Sequence, residues 1–322
     1  MLLNAVYVLV GLVGLFLGGN WLVKGASRLA ASLGIPPLVI GLTVVSFGTS
    51  TPELLVSLSA ALQGSSDIAF GNVVGSNIAN IGLILAISGL ILMIPIQIGL
   101  IRREIPLVIL ASVALLLLAV DGEISSLDGL LLVIGLVLFN ILVVRSALRE
   151  RLSQREEREL QEEEAITGEI KRTHELGRII IGLVALLIGA NLLVDGAVAI
   201  ARTMGVSELI IGVTLVAVGT SLPELVTSLA AALRRHEDIL FGNVIGSNLF
   251  NILGILGITA LIRPMSVPAS TLRFELPVMI GFALALLLFV PRRKITRIES
   301  IFILAAYIIF VIVAVSGSNV AV

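Results

Sequence analysis

Cysteine is absent from all 322 residues, which excludes disulfides, thiolate-bound metals and thiol redox chemistry. Charge and aromatic rings are scarce: Asp, Glu, Lys and Arg make up 13% of the chain and Phe, Trp and Tyr 4%, whereas 57% is hydrophobic. With a mean hydropathy of +1.13 the chain is far from the balance of a soluble domain and reads as an integral membrane protein. A formal net charge of -1 gives no indication of a nucleic-acid partner, and none is expected. The two histidines, His174 and His236, lie in polar connecting stretches without Cys or His at ligand spacing. They read as solvated loop residues, so zinc and copper chemistry is not expected. The N-terminal MLLNAVYVLVGLVGLFLGGN lacks a basic n-region and a small-residue cleavage site, and reads as a first membrane helix rather than a signal peptide.

Apolar stretches of roughly 20 residues recur along the chain. They predict ten helices near 4–32, 37–63, 68–93, 104–121, 126–146, 177–202, 208–233, 239–262, 273–290 and 297–316. Open sheet edges are not tolerated in hydrocarbon and no strand-like alternation is present, so the expected fold class is an all-α helical bundle. With the N-terminus outside, 18 of the 21 Lys and Arg fall on the cytoplasmic side, leaving Arg202, Arg263 and Arg273 outside. Both termini are therefore expected to face the exterior or periplasm of a cytoplasmic (inner) membrane. The charged segment 147–176 reads as a solvated, partly helical cytoplasmic connector between repeats at 1–146 and 177–322.

The chain aligns with itself at an offset of 171, without a gap from Gly18 to Asn80. GLTVVSFGTSTPELLVSLSAAL (41–62) faces GVTLVAVGTSLPELVTSLAAAL (212–233), and 24 of the 40 positions from 41 to 80 are identical. The repeated motif regions are 41–82 and 212–254. Five spans per half is an odd number, so the second copy enters the membrane from the opposite side. Such inverted repeats are a recurrent construction of secondary transporters.

Pro52 and Pro223 lie inside predicted spans, where each removes an amide donor and presses on the carbonyl four residues earlier, Gly48 or Gly219. The helices should break there and free carbonyls around 46–49 and 217–220, which membrane-depth backbone tolerates only beside protein or a polar cavity. Beside each proline stands a carboxylate, Glu53 or Glu224, with an insertion cost of about 2.5–3.5 kcal/mol before compensation. Thr49 and Ser50 fall on the face of Glu53, and Thr220 and Ser221 on that of Glu224. In the next spans Ser76, Asn77 and Asn80 share a face, as do Ser247, Asn248 and Asn251. This all-oxygen set suits hard cations, and two carboxylates balance one Ca2+, while the neutral oxygens would also serve Na+. Plainer roles are assigned to other motif residues: Gly71, Gly75, Gly242 and Gly246 read as packing glycines, Asp67 and Asp238 as N-caps, Pro36 as a first-turn residue and Ser207 as an N-cap. Ser76 and Ser247 suit packing and ion binding equally.

With GTSTPE and GNVVGSNIAN in one half and GTSLPE and GNVIGSNLFN in the other, the sequence resembles the cation/Ca2+ antiporter superfamily, specifically its prokaryotic sodium/calcium exchanger branch. The resemblance implies ten helices, with the second, third, seventh and eighth around the ions and the first and sixth sliding across them as a gating pair. It implies Glu53 and Glu224 as central Ca2+ ligands and Thr49, Ser50, Thr220 and Ser221 as oxygen donors. Ser76, Asn80, Ser247 and Asn251 would complete the Na+ sites, with the backbone carbonyls of Ser46 and Ala217 as further candidates. Asn251 stands where several relatives carry Asp, so this site has two carboxylates rather than three. Gly75 and Gly246 stand where the proton-coupled branch carries Glu, which favours Na+ as the coupling ion. The expected activity is Na+/Ca2+ antiport in a lipid bilayer, not an enzymatic reaction, with no cofactor and a monomer sufficient for transport. H+/Ca2+ or K+-dependent exchange on the same fold, and a cation channel, are the alternatives.

Overall fold

A computed structural model describes residues 2–96, 100–160, 172–204 and 217–318. The order of helices is α1 Leu2–Leu33, α2 Pro37–Thr49, α3 Thr51–Leu62, α4 Ser66–Ile91, α5 Ile105–Leu118 and α6 Ser126–Leu160. They are followed by α7 Arg172–Thr203, α8 Ala217–Thr220, α9 Leu222–Leu233, α10 Glu237–Ile262, α11 Thr271–Phe289 and α12 Arg297–Ser318. Among the described residues seven helices are long and apolar enough to cross a membrane, and the pair α2 and α3, bent by 45° at Ser50, makes an eighth. Helix α5 is 14 residues long and continues a π-helical turn, Leu100–Glu104. Helices α8 and α9 are the described part of the seventh predicted span, whose residues 208–216, like Ser207, lie outside the described residues. The predicted boundaries fall within a few residues of the helices, except that α6 runs on through the charged segment to Leu160. Residues 161–171 of the predicted connector lie outside the described residues.

The element boundaries themselves recur at the offset of 171. Helix α4 starts at Ser66 and α10 at Glu237, α3 ends at Leu62 and α9 at Leu233, and α6 starts at Ser126 and α12 at Arg297. Two short antiparallel ladders join the halves: Ile94–Pro95 (β1) pairs with Lys294–Ile295 (β4), and Glu123–Ile124 (β2) with Met265–Ser266 (β3). The two ladders are related by the same offset. Each ties the end of a central helix in one half to a turn in the other.

Composition dictates which helices sit where. The apolar windows of α4 and α10, which carry the GNxxGSN motifs, are 72% and 78% buried, against 22% for α1 and 11% for α12. The polar helices occupy the centre, and the outer helices turn Leu, Ile and Val outward, as a lipid environment requires. The protein is a multi-pass membrane protein. Helices α1 and α7 lie in backbone contact: a Cβ on Gly18 would come within 2.7 Å of the Leu186 nitrogen, and one on Gly182 within 2.7 Å of the Leu22 nitrogen. Gly11 and Gly189 repeat the approach one heptad away, so glycines bring the two backbones together at these points.

Several assignments from sequence change here. Asp67 and Asp238 are first-turn residues, and the N-cap positions belong to Ser65 and His236, neither of which caps through its side chain. His236 is half-buried, and desolvation together with the adjacent Arg234 holds its imidazole below the usual range. Pro36 is the N-cap of α2, and Pro37 occupies its first turn. Gly242 and Gly246 do pack closely, against Gly41, Leu42 and Ser46. Gly71 and Gly75 do not: among the described residues no atom lies within 4 Å of a Cβ at either position.

Candidate cation site

The two GTSxPE segments break at their serines. Ser50 has φ -84° and ψ 10°, and Ser221 φ -90° and ψ 8°, outside the helical region and in the sparsely allowed bridge region. Pro52 and Pro223 fall in the first turn of the restarted helices α3 and α9, where a missing N–H costs nothing. Glu53 and Glu224 follow in the same turns, where the positive end of the helix dipole favours a carboxylate. Both are buried, at 1% and 2% exposure.

Each carboxylate is held by the opposite half. Ser50 Oγ donates to Glu224 Oε1 at 2.8 Å, and Ser221 Oγ donates to Glu53 Oε1 at 3.2 Å. The second oxygens, Glu53 Oε2 and Glu224 Oε2, are buried without a hydrogen-bond partner among the described residues. So are Asn80 Oδ1, Asn251 Oδ1, Ser247 Oγ and Asn77 Oδ1 on the central helices. Asn80 also reaches across the halves, donating to Asn248 Oδ1 at 2.9 Å. Asn80 and Asn251 lie at or beside the start of π-helical turns, Asn80–Leu85 and Phe250–Leu256, where the backbone ladder is already irregular. Orphaned buried oxygens each cost a desolvation penalty, which a counter-charge or donor would offset.

The Ser46 carbonyl, expected to be freed by the proline, instead accepts the Ser50 amide at 3.0 Å and the Thr49 hydroxyl at 3.3 Å. The break falls one residue before Thr51, so the α-helical bond from Ser50 survives, and the carbonyl that Pro52 cannot reach is that of Gly48. The Phe47 carbonyl accepts the Thr51 hydroxyl at 3.1 Å. Ala217 begins α8, and Thr220 ends it beside Ser221. Ser76 is buried on α4, close in sequence to Asn80.

Two residues that sequence reasoning passed over organise the site. Asn243 donates to the Glu224 carbonyl at 3.2 Å and to Ser228 Oγ at 3.0 Å, and accepts the Thr49 hydroxyl at 3.1 Å. Asn72 donates to the Glu53 carbonyl at 3.1 Å and to Ser57 Oγ at 2.9 Å. Each pins a carboxylate-bearing helix to its neighbouring central helix. The signal was present as the first Asn of GNVVGSN and GNVIGSN, identical in both halves at the same offset.

No group of three or more His, Cys, Asp or Glu with metal-site geometry occurs among the described residues. The site is two carboxylates within neutral amide, hydroxyl and carbonyl oxygens, a donor set suited to hard cations.

The family model described as Sodium/calcium exchanger protein matches residues 3–145 and again 174–316, two segments at the offset of the repeat. The chain is 40% identical over 268 residues to the inner membrane protein YrbG of Escherichia coli, covering 82% of this chain and 81% of that protein. It is 35% identical to the sodium/calcium exchanger MaX1 of Methanosarcina acetivorans, covering 96% and 98%. A solved structure of the sodium-calcium exchanger NCX_Mj matches with a TM-score of 0.83 at 36% identity, covering 96% of this chain and 97% of that one.

Proposed function

Because the chain belongs to the sodium/calcium exchanger protein family, we propose that it is a secondary antiporter that moves Na+ against Ca2+ by alternating access. The observation that carries this reading is the reciprocal pairing of Glu53 with Ser221 and Glu224 with Ser50, with an orphaned oxygen left on each carboxylate. Two negative charges balance one Ca2+. The same charges, with the amide and hydroxyl oxygens of Asn80, Asn251, Ser247, Ser76, Thr49 and Thr220, serve Na+ when Ca2+ is absent, so the two ions compete. Backbone carbonyls near Ala217 and beside Ser46, whose own carbonyl already accepts the Ser50 amide and the Thr49 hydroxyl, add neutral ligands. A site shared by both halves changes access when the halves move relative to one another, and ions drive that motion only through different affinities for the two states. The close, glycine-mediated backbone contact of α1 with α7 suits a pair that slides as a unit.

In this reading the halves 1–146 and 177–322 are inverted repeats of five spans each, ten in all. Segment 147–176 tethers them in the cytoplasm, both termini lie outside the inner membrane, and one chain suffices for transport. Na+ is the coupling ion because Gly75 and Gly246 offer no third or fourth carboxylate to carry protons. Reconstituted vesicles test this: Ca2+ uptake is expected to require an outward-directed Na+ gradient and to vanish in Glu53→Gln and Glu224→Gln. Uptake that follows a proton gradient and ignores Na+, or that needs no countergradient, would sink it.

A further inference from the structure

Three residues in the described chain have left-handed backbone as glycine, namely Gly34, Gly64 and Gly122, and two do so as arginine, Arg235 (φ 57°) and Arg293 (φ 49°). At the offset of 171, Arg235 is the counterpart of Gly64 and Arg293 that of Gly122. The turns are therefore the same turns, and the second half places a long cation where the backbone favours glycine. A side chain that strains its own backbone is worth asking a purpose of.

For Arg235 the surroundings suggest one. Arg235 and Arg297 line a cavity of about 680 Å3 together with Thr296, Glu237, Leu92, Met93, Pro95 and Ile298. Among the described residues neither guanidinium has a hydrogen bond or ion pair, whereas the adjacent Arg234 donates to Asn20 and Arg292 pairs with Glu299. The helix end beside the cavity is not what needs an anion: the Thr296 amide and hydroxyl are both bound by Glu299 at 2.8 Å. The equivalent place in the other half is bridged by a side chain. There Arg263 reaches over the turn, donating to the Leu62 carbonyl at 2.7 Å and lying 3.6 Å from a Cβ on Gly64. Its counterpart here is Leu92, which cannot bridge that turn, so the space stays open and the cation moves to position 235. Met93 and Ile298, at the rim, are 57% and 67% exposed. The cavity thus joins two unpaired guanidinium groups, and one acidic residue, to an apolar lip.

We propose that this cavity binds the phosphate headgroup of an anionic phospholipid, with Arg235 and Arg297 on the phosphate and the acyl chains against Met93 and Ile298. Its location fits: by the distribution of Lys and Arg it lies on the cytoplasmic face, where a basic pocket beside the membrane meets anionic headgroups. Arginine rather than lysine suits bidentate contact with phosphate oxygens.

The test uses the full chain, delipidated in detergent, and does not depend on transport. Phosphatidylglycerol, phosphatidylcholine and inorganic phosphate are compared by lipid adducts in native mass spectrometry and by thermal unfolding. The variants are Arg235→Gly, which restores the residue the turn prefers and so is expected to fold, and Arg297→Gln. The expected result is that phosphatidylglycerol binds and stabilises the wild type more than phosphatidylcholine, and that adduct occupancy falls at least threefold in each variant. Equal phosphatidylglycerol occupancy in wild type and both variants would overturn the site. Equal stabilisation by inorganic phosphate would overturn the lipid as its ligand.

Discussion

Ser50 and Glu224, 174 residues apart, meet at 2.8 Å, and Ser221 and Glu53 meet in the mirror arrangement at 3.2 Å. Each hydroxyl sits at the break of its own half and donates to the carboxylate of the other. Neither half alone contains both partners of either bond, as the proposed alternating access requires. Ser50→Ala and Ser221→Ala each remove one charge-assisted bond, worth about 1.5–3 kcal/mol. Each is expected to raise the half-saturating Ca2+ concentration by about 10-fold or more, read from initial uptake rates. An unchanged value in both variants would mean that the cross-half bonds do not shape the site.

Asn243 holds three groups and is fully buried, while Asn72 holds two and is half-buried. Asn243→Ala removes a partner from the buried hydroxyls of Thr49 and Ser228 and from the Glu224 carbonyl, at a cost of about 1–3 kcal/mol for each group left unsatisfied. Thermal unfolding is expected to show a larger loss for Asn243→Ala than for Asn72→Ala. Asn243→Asp keeps an acceptor for Thr49 but loses both donated bonds, so it should resemble the alanine variant rather than the wild type.

The packing glycines divide by half. A Cβ on Gly246 would sit 2.6 Å from Ser46 Oγ and 2.7 Å from the Leu42 carbonyl, whereas among the described residues nothing meets one on Gly75. Overpacking of this kind costs about 1–3 kcal/mol. Gly246→Ala is expected to lower the melting temperature by several degrees and to slow transport, with Gly75→Ala close to wild type. Equal effects at both positions would contradict this asymmetry.

Asp195 and Asn191 on α7 line a cavity of about 350 Å3 with Thr51, Pro52, Gly219 and Thr220, immediately beside the candidate site. The offset places Lys24 and Asn20 at the matching positions of α1, and there Asn20 accepts two bonds from Arg234. The matching positions thus carry an acidic residue in one half and a basic one in the other. Asp195→Asn is expected to raise the half-saturating Ca2+ concentration several-fold at low ionic strength with the maximal rate preserved, because a single exposed carboxylate acts on encounter and is screened by salt. A defect that persists undiminished at high salt would argue against an electrostatic role.

Much of this protein was legible in order along the chain. Hydropathy located the helices because a membrane imposes a length on each apolar run, and the offset of 171 exposed the duplication because both copies keep the residues that break, charge and pack a helix. Glu53 and Glu224 stood out because a carboxylate in hydrocarbon is costly enough to need a reason. The partnerships were not legible. That Ser50 serves Glu224 rather than its neighbour Glu53, and that Gly246 is crowded while Gly75 meets no described neighbour, depend on how one half lies against the other, and that Asn72 and Asn243 clamp backbone carbonyls depends on how two helices pack within one half. Local sequence carries the chemistry of each half, because helix breaks and buried charges are set within a few residues. Which oxygen faces which is settled only by tertiary packing, because it joins residues some 170 positions apart.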